Sequence, residues 1–485
     1  MASLEEIKEG RLKKLETLRK AGIDPYPAKT ERDFEIGELI KKFEKLQSEN
    51  KSVTIAGRVM ALRLQGAIAF ADIFDGTGKF QILFKKGEKM SNESFDLFLE
   101  TVDIGDFVQA TGTLFTTKRE EKTMQVSAWK MLTKSLQPLP EKWHGLANVE
   151  ERYRKRYLDF LMDPELRDLI VKKSQFWNVI RSFFREKGFL EVETPTLEVT
   201  TGGAEARPFK THHNDFDMDM YLRISVGELW QKRLMASGFP KTFEIGRIYR
   251  NEGTSPEHLQ EFTNVEFYWS YADYRMGMEL VKELYKTIAQ EIFSKTKFEY
   301  NGHTFDLADD WIEIDYASEI KKQTSVDIAE ANEEEMKEKC NELKITYRGE
   351  NKERLTDTLW KYCRKNISGP AFVINHPVLV APLAKKVLGK EVVQMFQPII
   401  AGSEIGRGYS ELNDPIDQQK RFEEQGILLG AGDEEAMMPD LEFVEMLEHG
   451  MPPTCGFGFG ERLFAILANH PVRELQTFPL MRPRE

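Results

Sequence analysis

The sequence predicts an α+β protein of two domains, a small five-stranded β-barrel followed by a larger domain that mixes strands with helices. Between Val53 and Leu132 short β-rich runs follow one another, interrupted by a single partly helical stretch. Beyond residue 165, runs with i, i+3, i+4 apolar spacing alternate with strand-like segments. At 485 residues the chain is also too long to be organised by one hydrophobic core.

Composition sets the outer limits. Apolar residues make up 41% and charged residues 31%, the balance of a soluble globular protein. The formal net charge of −12 excludes binding of nucleic acid through bulk charge, so any such contact must use local basic patches. Cys340, Cys363 and Cys455 lie far apart, which predicts neither a disulfide framework nor a zinc site and fits a reducing compartment. No apolar run is long enough to span a bilayer and the N-terminus lacks an apolar leader, so a cytoplasmic protein without membrane contact is expected.

Residues 1–50 read as a helical extension. The Leu-, Lys- and Glu-rich stretch 4–21 stops at Gly22, ahead of Pro25 and Pro27, and a second amphipathic piece aligns Ile36, Leu39, Ile40 and Phe43. A barrel follows over 51–138, with strands at Val53–Ala61, Ala67–Phe74, Lys79–Phe84, Asp106–Phe115 and Met124–Leu132, a turn at Asp75–Gly78 and a partly helical stretch at Ser91–Thr101. That order suggests an OB-type Greek-key barrel, a fold that often takes single-stranded nucleic acid on aromatic side chains. Residues 139–165, with Pro140 and the charged run Glu150–Arg156, read as a linker. The larger domain, 166–485, opens with a helix carrying Phe176, Val179, Ile180, Phe183 and Phe184 on one side. A charged helical insertion is expected at 326–366, with Leu355, Leu359 and Tyr362 on its apolar side.

The chemistry concentrates in three places. The segments Phe243–Gly253 and Glu261–Tyr268 read as a strand, a polar loop and a returning strand that can bring Arg250, Glu252, His258, Phe262 and Glu266 together. They offer a cation for phosphate, an aromatic face for a base and carboxylates for an amine. In Gly456-Phe-Gly-Phe-Gly460 the glycines fall on one strand face, where a nucleotide can approach the backbone, and the phenylalanines fall on the other. Arg462 then opens a helix whose N-terminus also favours phosphate. Glu404 and Glu411 flank Gly406 and Gly408 and offer hard oxygen donors of the kind Mg2+ prefers.

These segments resemble the three motifs of the class II aminoacyl-tRNA synthetases: Lys187–Pro195 motif 1, the hairpin motif 2 and Gly456–Arg462 motif 3. Within that class the chain is most similar to the lysyl-tRNA synthetases, through Ala204–Phe209, Thr211–Asn214, Tyr409–Pro415 and Phe478–Pro483. The resemblance implies an antiparallel catalytic sheet flanked by helices, a homodimer through motif 1, and ATP- and Mg2+-dependent joining of L-lysine to tRNA(Lys). Arg250 and Arg462 would be catalytic. ATP would meet these two with Glu252, His258 and Phe262, while Glu404 and Glu411 hold metal at its phosphates. Gly203, Glu228, Glu266, Tyr268 and Tyr409 would bind lysine, and Arg63, Phe70 and Gln81 would read the anticodon.

Several positions depart from the family pattern. Gln397 replaces a usual glutamate, Arg407 an asparagine and Glu257 an arginine; Glu461 stands where aspartate is commoner, and Ile224–Glu228 is one residue longer. They bear on the number of metal ions and on the lysine pocket. The expectation for Arg407 is that it faces the carboxylate or phosphates, or pairs with a nearby carboxylate. Three other readings stay open at this point: ligation of aspartate or asparagine, lysylation of a non-tRNA acceptor, and a catalytically silent RNA-binding paralogue.

Overall fold

The computed structural model describes residues 3–140, 148–204, 206–251, 253, 258–347, 349, 351–432 and 436–484. It divides into two compact units, Met1–Arg152 and Tyr153–Glu485.

In the first unit, α1 (Leu4–Lys20) starts in a capping box, where the Ser3 hydroxyl and the Glu6 carboxylate each accept the other's backbone N–H. Two short helices follow, α2 (Ile36–Lys41) and α3 (Phe43–Ser48). Strands β1 (Ser52–Gln65), β2 (Ile68–Phe74) and β3 (Lys79–Lys85), helix α4 (Asn92–Thr101), and strands β4 (Phe107–Thr116) and β5 (Lys122–Thr133) form a closed barrel in the order β1-β2-β3-β5-β4. The length of β1 makes closure possible. Its first half pairs with β4 and its second with β2, and a bulge between Val59 and Ala61 bends it from one to the other. Leu18, Ile36, Leu39 and Phe43 are buried with Ile55, Ile73, Ile82 and Val108, so the helices expected as a separate extension share the barrel's core.

Helix α5 (Val149–Arg154) lies at the division between the units. Among the described residues of the expected linker, those that follow are also helical: α6 (Arg156–Met162) buries Arg156 on Asp159 at 2.6 Å, and α7 (Pro164–Glu186) begins on an Asp163 cap with proline in its first turn. Then come β6 (Leu190–Glu191), β7 (Leu197–Glu198), the hairpin β8 (Lys210–His213) and β9 (Met218–Leu222), α8 (Glu228–Ala236), the hairpin β10 (Lys241–Tyr249) and β11 (Glu261–Ser270), and α9 (Tyr274–Phe293). A small hairpin, β12 (Lys297–Tyr300) and β13 (His303–Asp306), leads to β14 (Ile312–Asp315), α10 (Tyr316–Thr324), α11 (Glu333–Glu342) and α12 (Lys352–Cys363). The chain returns through β15 (Ala371–Ile374), β16 (Met395–Ile400), β17 (Ser403–Glu404) and β18 (Arg407–Ser410), then α13 (Pro415–Gly430), α14 (Leu441–Glu448), β19 (Thr454–Gly460) and α15 (Arg462–Ala468).

The central sheet runs β14-β15-β16-β18-β19-β11-β10-β6, with β17 paired to β16. Its middle is antiparallel, but both edges are parallel, β6 on β10 and β14 on β15. Parallel neighbours need a long crossover. The charged segment expected as an insertion supplies it, since α10, α11 and α12 connect β14 to β15 and bury Ile320, Met336, Leu355, Leu359 and Trp360 together.

Val265, Phe267, Phe457 and Phe459 point from the sheet into a core shared with α7 and α9. Phe184 anchors this contact, with its ring 5.1 Å from that of Phe243 and 5.3 Å from that of Phe267. The alternate residues of β11 and β19 are thereby directed to the other face, where the functional groups collect. No helix among the described residues is long and apolar enough to cross a membrane.

Phe184→Ala is expected to cost about 3 to 5 kcal/mol of stability, read as a lower urea midpoint at unchanged m-value. A loss below about 1 kcal/mol would mean that the core collapses into the space and that this ring does not hold the sheet.

Candidate active site

A cavity of about 470 Å³ opens on the face of β11, β18 and β19 away from the aromatic core. Its wall brings together most of the residues expected to act: Gly203, Glu228, Glu266, Tyr268 and Tyr409 at one end, and Arg250, His258, Phe262, Glu404 and Arg462 toward the other, with Glu411 between β18 and α13. Glu252 and Glu257 lie outside the described residues.

The acidic end is built around a buried cation. The Lys232 ammonium on α8, 1% exposed, donates to Glu228 Oε1 at 2.8 Å. It also lies 2.5 Å from Glu411 Oε2, an ion contact without an aligned hydrogen bond on that oxygen. The Tyr409 hydroxyl donates to Glu228 Oε1 as well. Glu266 accepts from the Val226 backbone N–H at 2.7 Å, the Asn264 amide at 3.2 Å and the Tyr268 hydroxyl at 3.2 Å. Burial, reinforced by the negative charge of Glu228, pushes the Glu266 carboxyl up to about 7. Burial pushes Glu411 up to about 8, against the pull of Lys232. Burial alone would lower Lys232, but Glu228 and Glu411 outweigh it and raise it.

The lengthened segment before α8 belongs to this pocket. Gly227 holds a left-handed conformation, φ 67°, at the start of α8, where a Cβ would overlap the Thr194 side chain. The turn it makes lets Val226 present its N–H to Glu266 while its carbonyl accepts from Gln231 at 2.9 Å.

The glycine face of β19 does something other than expected. Asn264, Glu266 and Tyr268 on β11 stand opposite Gly460, Gly458 and Gly456. A Cβ on Gly458 would come within 2.8 Å of Glu266 Cγ, and one on Gly456 would overlap Glu411 Oε1 and meet Tyr268. The absent side chains thus leave room for the protein's own carboxylates and tyrosine in the first place, where the sequence suggested room for a nucleotide alone.

At the other end, β10 and β11 pair in register up to Tyr249 opposite Glu261, and the Arg250 N–H donates to the Gln260 carbonyl. That fixes Arg250 beside Phe262, its guanidinium 5.6 Å from the ring centroid and donating to the Ile224 carbonyl at 3.3 Å. His258 is exposed at the rim. Arg462, at the start of the seven-residue helix α15, donates to the Glu404 carbonyl at 3.2 Å. Its neighbour Glu461 is fully engaged, accepting from Lys173 at 2.5 Å, Gln476 at 2.6 Å and the Thr263 N–H at 2.8 Å.

Glu404 and Glu411, expected to share a metal, serve different partners. Burial raises Glu404, but Arg364 and Arg407, with a 2.8 Å hydrogen bond from the Trp360 indole, hold its carboxyl below the usual range. Glu411 is occupied by Lys232. Gln397, where the resemblance implies a third glutamate, accepts from His376 Nε2 at 3.0 Å; burial lowers that imidazole to about 4, so it is neutral at pH 7 and Nε2 is assigned the proton. Among the described residues no group of three or more His, Cys, Asp or Glu is arranged to hold a metal. The donor set therefore does not fit a resident Mg2+, because one carboxylate is neutralised by an ammonium and the third donor is a neutral amide. Arg407, exposed on the cavity wall, acts electrostatically on Glu404.

In the barrel unit, Arg63 on β1 stands opposite Phe70 on β2, and Asp72 stands opposite Gln81 on β3. Arg63 donates to Gln81 Oε1 at 3.0 Å and to Asp72 at 3.2 Å, while Gln81 donates to Thr123 at 2.8 Å. Ala69, Ala71, Phe80 and Ile82 are buried on alternate positions, so Phe70 and Gln81 face outward. Phe70 is only partly buried and lies outside the barrel's core cluster.

Two functional features escape the sequence reading. Lys232, four residues after Glu228 on α8, carries an i, i+4 signal that also describes countless surface pairs. Arg354, Asp357 and Lys361 of α12 reach the cavity wall only because the crossover folds back over the sheet.

Residues 53–132 match the family described as OB-fold nucleic acid binding domain, and residues 148–482 match the tRNA synthetases class II (D, K and N). A lysine–tRNA ligase of Roseiflexus sp. strain RS-1 is 44% identical over 489 residues, covering 99% of this chain and 100% of the relative. That of Thermotoga maritima is 42% identical, covering 99% and 97%, and that of Halalkalibacterium halodurans is 41% identical, covering 99% and 98%.

Lys232→Met strands two buried carboxylates, and the expected loss is about 3 to 5 kcal/mol of stability in urea titrations. The double variant with Glu411→Gln is expected to recover part of it, because an unpaired buried charge costs more than a missing pair. Equal stability of the single variant and the parent would show that Lys232 does not neutralise the site.

Proposed function

The chain belongs to the class II lysyl-tRNA synthetases, and from that premise we propose that it acts as a lysine–tRNA ligase whose acidic end is built for the two ammonium groups of the substrate. The carrying observation is a charge imbalance: Glu228 and Glu411 share the ammonium of Lys232, while Glu266 beside them accepts hydrogen bonds from neutral donors, with no ion pair among the described residues. A dication restores neutrality, and an aspartate or asparagine side chain does not.

In this reading Glu228 receives the α-ammonium beside Gly203 and Tyr409. Glu266, with Tyr268, receives the side-chain ammonium. The raised Glu266 carboxyl is ready to ionise once a cation arrives. Arg250 spans the substrate carboxylate and the α-phosphate of ATP, Phe262 stacks on adenine with Glu252 at its amino group, and Arg462 and His258 meet the outer phosphates.

The carboxylate oxygen attacks the α-phosphorus, a new O–P bond forms, and the bond to the β-phosphate oxygen breaks to release pyrophosphate. No protein nucleophile is needed, since alignment and neutralisation of crowded anions supply the rate. In the second step the terminal ribose hydroxyl of tRNA(Lys) attacks the carbonyl carbon, the bond to AMP breaks, and the hydroxyl proton leaves with the departing phosphate. Mg2+ would come as part of the ATP substrate complex and offset phosphate charge, and Glu404, held ionised by Arg364 and Arg407, would be the protein carboxylate to meet it.

The outward group Arg63, Phe70 and Gln81 supports anticodon reading by stacking and hydrogen bonding. Exposed Leu190, Leu197 and Val199, just beyond α7, support a homodimer through that segment. The three buried, unpaired cysteines are consistent with work in the cytoplasm.

ATP–pyrophosphate exchange with each of the twenty amino acids tests this reading, with lysine alone expected to support exchange; exchange with aspartate or none at all would refute it. The pH dependence is a second check. Glu266 has to be ionised to bind an ammonium and titrates at about 7 in the free pocket, so affinity is full above that pH and is lost below it. KM for lysine in exchange should rise about tenfold per pH unit below pH 7 and level off above it. Glu266→Gln should flatten the profile and raise KM at least about 100-fold.

A further inference from the structure

Helix α12 gives the cavity a wall that adenylation does not use. Arg354, Asp357 and Lys361 line the cavity, and the same three residues line a second groove of about 730 Å³ together with Lys344, Tyr362 and Lys365. The groove and the cavity therefore meet along one helix.

That helix is sharply two-sided. Positions 354, 357, 358, 361, 362 and 365 follow i, i+3, i+4, i+7, i+8 and i+11 spacing, which places them on one face of α12 and of the 3-10 turn Arg364–Asn366 that extends it. Leu355, Leu359, Trp360 and Cys363 occupy the opposite face and are buried. From Arg354 to Lys365 the strip runs about 16 Å at 1.5 Å per residue, the length of about four or five stacked nucleotides at ~3.4 Å each.

The charge of this strip contrasts with that of the chain. In a protein of net charge −12, Lys344, Arg354, Lys361 and Lys365 stand against Asp357 alone among the groove's lining residues. Lys361 pairs with Asp357 at 2.6 Å, an exposed contact that exchanges readily for phosphate. Lys344 and Lys365 are exposed and have no ion-pair partner among the described residues. Tyr362, half-buried, lines the groove at the border of this face, where its ring also packs against the buried core of the crossover, as its apolar spacing with Leu355 and Leu359 predicts.

We propose that this face of α12, with Lys344, binds the unpaired 3′ strand of the tRNA and leads its terminal ribose into the catalytic cavity. The strand's phosphates lie along Lys365, Lys344 and Lys361, a base packs on Tyr362, and Arg354 stands where groove and cavity meet. A chain of phosphates fits a line of separated cations with an aromatic among them. A compact triphosphate would need converging cations, which Arg250 and Arg462 already supply across the cavity. This inference rests on the ligase reading and adds to it the path of the acceptor strand.

The test uses the full-length protein with Lys344→Ala, Lys365→Ala and the double variant, whose exposed side chains lie outside the catalytic cavity. KM for tRNA in aminoacylation is measured at several salt concentrations, alongside tRNA-free exchange with lysine. The double variant is expected to raise KM for tRNA about tenfold and to reduce the slope of log KM against log salt by about 0.7 per lysine, with exchange within about twofold of the parent. Lys365→Arg should keep the parental slope. Unchanged KM and slope would overturn the proposal. So would slowed exchange with a raised KM for ATP, since the strip would then hold nucleotide or pyrophosphate. Failure of the parent protein to exchange with lysine would instead sink the ligase reading itself.

Discussion

A buried ammonium held between Glu228 and Glu411 allows three carboxylates to sit together away from water. Without a counter-ion such a cluster would protonate or pull the surrounding elements apart, since desolvating each charge costs several kcal/mol, on the order that a whole domain has to spare. Even with Lys232 in place, Glu266 and Glu411 titrate near neutrality. The pocket is left short of positive charge, the feature on which the proposed diammonium substrate rests.

The rest of the catalytic unit can be read as the means of holding this cluster. Lys232 and Glu228 come from α8, Glu266 and Tyr268 from β11, Tyr409 from β18 and Glu411 from the segment just after it. The register of β11 against β19 sets Glu266 and Tyr268 over Gly458 and Gly456, where no side chain competes for the space. On the far face, Phe184 and its aromatic neighbours clamp the same strands to α7, so the apolar core fixes the position of polar groups that could not fix themselves.

Topology shapes the other side of the cavity. Because β14 and β15 are parallel, the chain needs a crossover between them, and that crossover lies against the site. Once α12 has buried its apolar side, its remaining face is committed to the cavity and the adjoining groove. A segment that satisfies a connection rule thereby acquires surface in the working part of the molecule.

The barrel strands, the α7 helix and the β10–β11 hairpin were legible in the sequence, because period-2 and period-3.6 patterns and turn residues are local signals. So were Arg250, Glu266, Glu404, Glu411 and Arg462, whose residue types sit in ordered motifs. Other features depend on what the fold brings near. Glu404 and Glu411 differ in partner because Arg364 and Trp360 reach one and Lys232 the other, and the Gln397 amide meets His376 across two strands. Residues 156–162 of the linker are held as a helix with Arg156 on a buried carboxylate, and the N-terminal helices join the barrel because their apolar faces complete its core. Sequence alone determined which elements form and which chemical groups are available, since both follow from neighbours along the chain. Only the tertiary structure decided which charges neutralise one another and what the crossover faces, since burial and distance exist only after distant segments have packed.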